Sequence, residues 1–99
     1  MPMPTYITLL HFTQKGIETI KESPARLDRA KQAFKAAGAE LKAFYLVTGR
    51  YDAVAIVEAP NDEVVARIAL GAASAGNIRS ETVRAFTEDE YRKIVASLP

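Results

Sequence analysis

Few side chains in this sequence can do chemistry near neutral pH. His11 is the sole histidine and there is no cysteine, so disulfides, thiolate catalysis and zinc–thiolate sites are excluded together, and His11 is the one acid or base that titrates close to neutrality. Asp52 is the carboxylate the chain order offers it: in the run Gly49-Arg50-Tyr51-Asp52 it stands where a strand paired with the first would begin. A carboxylate in reach of an imidazole favours the imidazolium and makes a tuned acid or base. Tyr45 and Tyr51, on either side of Gly49, would present phenols to the same pocket. Each residue also has a plainer reading. A strand-end histidine bonds a backbone group, an aspartate after a turn glycine accepts turn N–H bonds, and strand tyrosines pack with one wet end. Arg50, Arg79 and Arg84 could hold an anion, but Glu58 and Glu81 are as well placed to pair with them. There is no Gly-rich phosphate loop, no His-Glu zinc helix and no Ser-His-Asp ordering, so no metal or cofactor is expected.

The elements that must position these residues follow from periodicity. Over residues 44–58, apolar β-branched and aromatic segments flank a single glycine, which predicts a β-hairpin with Gly49 supplying a positive φ at its turn. Residues 5–12 predict a central strand, with Tyr6, Thr8, Leu10 and Phe12 on one face and Ile7, Leu9 and His11 on the other. Thr13 caps a short turn carrying Ile17 and Ile20. Ser23-Pro24 then reads as an N-cap followed by proline at the first helical position. Leu27, Ala30, Phe34 and Ala37 make one apolar stripe, and Gly38 supplies the stop. After the hairpin, Asn61 caps a second helix with Asp62 and Glu63 at its positive end and Val64, Val65, Ile68, Ala69 and Ala72 on its stripe. Residues 70–76 are almost all small and fit either close backbone approach or a loosely ending helix. Residues 78–86 alternate imperfectly, as a strand near an edge or a wet groove does. Thr87 and Glu90 form a capping box, with Phe86 and Tyr91 at staple spacing, before a last helix carrying Ile94, Val95 and Leu98.

The order β-α-β-β-α-β plus a C-terminal helix predicts an α+β, ferredoxin-like domain spanning residues 1–99. Right-handed crossovers put both helices on one face. The bare face, with residues such as Val54 and Ile56, then calls for a second copy or a ligand, so at least a homodimer is expected. Thirteen basic and twelve acidic residues leave a net charge of +1, and the basic first helix lacks interleaved aromatics, so nucleic acid is not an expected partner. Residues 1–4 are too short and proline-broken for a secretory leader, and no apolar run approaches the roughly 20 residues a bilayer needs. A soluble, cytoplasmic protein with no membrane partner is the expectation.

Gly49-Arg50-Tyr51-Asp52, with the preceding Phe44-Tyr45 and the following Val57-Glu58-Ala59-Pro60-Asn61-Asp62, resembles the GYD-domain family, small proteins largely without assigned activity. Ser23-Pro24-Ala25-Arg26, Gly76-Asn77-Ile78-Arg79 and Arg84-Ala85-Phe86-Thr87 look like further fixed points, so the likeness runs nearly end to end. The signature is met as Gly-x-Tyr-Asp, with Arg50 in the variable place. The resemblance implies a dimeric α+β barrel. A looser one, to ligand-sensing domains of amino-acid-responsive regulators, rests on a glycine and an aspartate at the same hairpin and concerns the fold alone.

Three functions fit these residues. The leading one is a non-enzymatic oligomeric module that binds a small molecule or a partner in the cavity between two sheets, with Tyr45, Tyr51, Asp52 and His11 lining or bordering it. The second is a small cofactorless enzyme with His11 and Asp52 as its acid–base pair, and the third is a purely structural assembly subunit.

Overall fold

The computed structural model describes residues 3–99; Met1 and Pro2, which open the segment weighed as a leader, lie outside the described residues. The elements run β1 (Thr5–Phe12), α1 (Gln14–Glu18), a 3-10 turn (Ile20–Glu22), α2 (Ser23–Ala36), β2 (Glu40–Leu46), β3 (Ala53–Glu58), α3 (Asp62–Ser74), β4 (Ile78–Ala85) and α4 (Glu88–Ala96). The strands form one sheet in the order β2-β3-β1-β4, each neighbouring pair antiparallel. This is the ferredoxin-like α+β arrangement that the alternation of periods predicts, with β1 central and the polar β4 at an edge.

Local chemistry fixes the helix starts. Thr13 Oγ1 accepts the Gly16 N–H at 3.1 Å and donates to the Gly76 carbonyl at 2.6 Å, so one hydroxyl caps α1 and ties it to the chain after α3. Asn61 Oδ1 accepts the Val64 N–H at 3.0 Å at the start of α3. At α4 both bonds of the capping box form: Glu90 Oε1 accepts the Thr87 N–H at 2.8 Å and Thr87 Oγ1 accepts the Glu90 N–H at 3.2 Å.

Two expectations are corrected. Ser23 is not a cap, because the 3-10 turn runs straight into α2. Glu22, already in helical conformation, takes the cap position without a side-chain bond, and Ser23 becomes the first helical residue ahead of Pro24. Gly49 does not adopt a positive φ; among the described residues Gly38 (77°) and Gly76 (85°) do. The hairpin turns over residues 47–52, closed by the Val47 N–H on the Asp52 carbonyl at 2.9 Å. A loop of that length reverses direction without a left-handed residue. Gly38, by contrast, is the stop after α2 that its position predicts.

The core lies between the sheet and its helices. Tyr6, Ala55 and Val57 point from the sheet into a cluster with Ala39, Ala59 and Val65, flanked by Phe34, Phe44, Val64 and Ile68. Val57, 1% exposed, is worth about 1.5–3 kcal/mol of transfer free energy there. Residues that alternate with these face away from both helices. Among the described residues no helix is long and apolar enough to cross a membrane.

Candidate functional site

Strand register lays out the uncovered face in rows, because directly paired residues share a face. Ala43, Ile56, Ile7 and Val83 form one row, and Tyr45, Val54, Leu9 and Glu81 the next. Glu58 and Thr5, paired with each other, bound this field at one end, and His11, opposite Arg79, bounds it at the other. Ile7, Leu9, Val54 and Ile56 are only half-buried, while Val83 and Tyr45 are exposed. The result is an apolar patch four strands wide with charged residues at both ends.

The polar corner is built by the hairpin folding beside β1. The Tyr51 ring lies against the His11 ring, centroids 4.8 Å apart and planes tilted by 35°. Its hydroxyl donates to Glu81 Oε2 at 2.8 Å. That bond, aided by partial desolvation and the Glu81 charge against the opposing charge of Arg50, raises the phenol's pKa above the ordinary tyrosine value. Asp52 Oδ2 accepts the Phe12 N–H at 2.9 Å, while the Asp52 N–H donates to the Leu10 carbonyl at 2.8 Å. Asp52 therefore extends the β1–β3 ladder with its side chain. His11 Nδ1 stands 3.9 Å from Asp52 Oδ2, both side chains about a third to half exposed. At that distance there is no hydrogen bond, and such an exposed pair is worth at most about 1 kcal/mol even with the histidine charged.

Thus His11, Tyr51 and Asp52 meet at one corner, whereas Tyr45 shares their sheet face on the β2 edge, across the apolar field. The three arginines do not converge. Arg79 pairs with His11 on the open face, but Arg84 pairs with Tyr6 on the helix side, which corrects the notion of one anion site: the strand period separates residues an odd number of positions apart.

A second cluster escaped sequence reasoning. Tyr6 donates its hydroxyl to Asp62 Oδ1, and the Arg84 guanidinium lies 5.7 Å from the Tyr6 ring centroid and 4.4 Å from that of Phe86. Burial first, then the Asp62 bond and charge, raise the Tyr6 pKa. Tyr6, Asp62 and Arg84 line a small cavity of about 250 Å³. A larger apolar one, about 640 Å³, opens between α2 and α3 over Leu10 and Ala55. His11, Tyr45, Tyr51 and Asp52 line neither. Among the described residues no three of His, Asp and Glu converge as metal ligands would.

The GYD domain family model matches residues 6–95. The chain belongs to the GYD domain family. A protein of Thermus thermophilus, named "Glutamine synthetase and cystathionine beta-lyase binding protein", is 38% identical over 85 residues, covering 85% of this chain and 90% of that protein. Among solved structures, the leucine response regulatory protein of Mycobacterium tuberculosis is similar in fold, with a TM-score of 0.55 and 13% identity over 85% of this chain. The chain spans about half of that regulator, 51%. In this GYD domain the signature Gly49-Arg50-Tyr51-Asp52 builds the polar corner: Tyr51 supplies the ring on His11 and the bond to Glu81, and Asp52 the strand-end acceptor.

Proposed function

We propose that the protein is a non-catalytic interaction module that takes another protein against the uncovered face of its sheet, bordered by the His11–Tyr51–Glu81 corner. The observation that carries this is the apolar field Ile7, Leu9, Val54 and Ile56, which no element among the described residues covers, with Val83 and Tyr45 exposed at its margins. Contiguous apolar patches rimmed by polar groups are characteristic of interaction sites. A small molecule asks instead for a concave pocket, and the cavities described above lie on the helix side. The acid–base reading is disfavoured because Asp52 is committed to the Phe12 N–H and stands 3.9 Å from His11. The name of the Thermus thermophilus relative supports protein partners and makes glutamine synthetase and cystathionine beta-lyase the first to test. The cytoplasmic location expected from the sequence belongs to this reading.

Hydroxyl-radical footprinting reads side-chain exposure and tests it. On adding a partner enzyme, Tyr45, Val83, Ile7 and Leu9 should lose reactivity, while exposed Leu70 on α3 keeps it. Protection of Leu70 with the sheet face left reactive would refute the reading.

A further inference from the structure

The sheet holds α2 and α3 apart, and neither helix brings the bulk that would close the gap. The side chains lining it are Ala30 and Ala33 on α2 and Ala69 and Ala72 on α3. Protein interiors leave few voids larger than a water molecule, yet here a cavity of about 640 Å³ opens over Leu10 and Ala55. That is the size of a small-molecule site, about 300–1,000 Å³. Its α2 wall runs from Ser23 to Ala37, about 21 Å at the helical rise, so the cavity is a long slot that suits an extended chain better than a ring system.

The lining sets the chemistry of an occupant. Leu10, Leu27, Phe34 and Ile68 give the slot apolar sides. Thr8 and Thr82 on its floor bond each other through their hydroxyls at 3.1 Å and ask nothing of a ligand. Water finds few partners on such a surface. Among the described residues no acidic side chain lines the slot, whereas three arginines do. Arg26 is committed, donating to Thr19 Oγ1 at 3.2 Å and to the Gly16 carbonyl at 3.4 Å. Arg29 has no ion-pair partner among the described residues. Arg67 is paired with exposed Glu63 at 3.0 Å, one turn away on α3, a surface contact that an incoming anion displaces at little cost.

The two available guanidiniums stand on opposite lips of the slot. α2 follows β1 and α3 follows β3, strands that run in opposite directions, so the helices lie antiparallel. Arg29 and Arg67 are each near the middle of their helix and therefore at the same level. We propose that the slot binds a single-chain carboxylate amphiphile of the medium-chain fatty acid class, with its chain between the alanine walls and its carboxylate held at the mouth by Arg29 and Arg67. A guanidinium fork matches the two oxygens of a carboxylate, and removing the chain's apolar surface from water drives its entry. The slot lies on the opposite side of the sheet from Ile7, Leu9, Val54 and Ile56, so the inference does not depend on what covers that field.

Decanoate, below its micellar concentration, is the probe. Calorimetric titration of the full-length chain should show one decanoate bound per chain, with decanol and decyltrimethylammonium, which share the chain length, at least tenfold weaker. Arg29→Gln should weaken decanoate at least tenfold and leave decanol unchanged. Ala30→Phe and, on the facing wall, Ala72→Phe fill the slot, and each should abolish decanoate binding while keeping the parent's circular dichroism spectrum. Methyl NMR of the parent locates the chain without any substitution: Leu10, Leu27 and Ile68 should shift on adding decanoate, while Ile7, Leu9 and Ile56 on the other face stay in place. No saturable binding, equal affinity for the three amphiphiles, or shifts confined to Ile7, Leu9 and Ile56 would overturn the proposal. So would full affinity for decanoate in either folded phenylalanine variant.

Discussion

Asp52 Oδ2 lies 2.9 Å from the Phe12 backbone nitrogen and 3.9 Å from His11 Nδ1, so the carboxylate is the acceptor that extends the β1–β3 ladder and the histidine is its neighbour rather than its hydrogen-bond partner. A role of that kind needs an oxygen, not a charge. Asp52→Asn, which keeps an acceptor, should change stability by less than about 0.5 kcal/mol. Asp52→Ala strands a part-buried N–H and should cost about 1–2 kcal/mol. Urea unfolding of the two variants separates them, and equal losses would mean that the charge matters after all.

The glycines should rank by backbone and space. A Cβ at Gly49 meets nothing within 4 Å and needs no left-handed residue, so Gly49→Ala should be neutral or slightly stabilising through the unfolded chain. Gly38, at φ 77°, should cost about 1 kcal/mol as alanine. At Gly16 a Cβ would stand 2.1 Å from the Asn77 carbonyl oxygen, and the backbone must shift, at a cost of about 1–3 kcal/mol or more. Thermal unfolding of the three alanine variants gives the order.

The elements were legible where the signal is local. Leu27, Ala30 and Phe34 announce α2, Thr87 with Glu90 the start of α4, and Gly38 the end of α2, because each depends on neighbours within a turn or two. The face assignments of β1 were legible for the same reason. The positive φ expected at Gly49 failed because loop length, which depends on where β2 and β3 stop pairing, decides whether a turn needs a left-handed residue. The Tyr51–Glu81 and Tyr6–Asp62 bonds join residues 30 and 56 positions apart. Both need the register of strands that no local pattern supplies. Sequence spacing placed His11 and Asp52 at neighbouring strand ends, but not the Phe12 N–H that occupies the carboxylate.

Tyr6 anchors the helix side through Asp62. Tyr6→Phe removes that bond while leaving the solvated carboxylate tolerable, and should cost about 1 kcal/mol. The raised pKa in the folded state means that the Tyr6 contribution is complete below pH 10.0, the value of a free tyrosine, and is lost as pH rises through the higher folded value. Tyr6→Phe should therefore show a smaller fall in stability above pH 10.0 than the parent. Parallel curves would remove Tyr6 from the account.

Glu90 carries the opposite sign. Its bond to the Thr87 N–H lowers its pKa below the ordinary 4.5, so the stabilisation of the α4 start is present above that value and is lost as pH falls through the lower folded value. Helicity followed by circular dichroism should drop in this acid window. Glu90→Gln keeps an oxygen for the Thr87 N–H and should remove the Glu90 share of the drop. An unchanged profile in that variant would assign the transition to other carboxylates.

The central claim, that the uncovered sheet face receives a protein, is tested most directly by calorimetric titration of glutamine synthetase and cystathionine beta-lyase from the same source with the parent, Tyr45→Ala/Val83→Asp and Asp52→Asn. Tyr45 and Val83 are exposed, so their replacement leaves the core intact, as a retained melting temperature will show. The prediction is saturable binding of at least one enzyme, weakened at least tenfold in the face variant and unchanged in Asp52→Asn. Binding that survives in Tyr45→Ala/Val83→Asp, or no binding of either enzyme by the parent, would contradict the account.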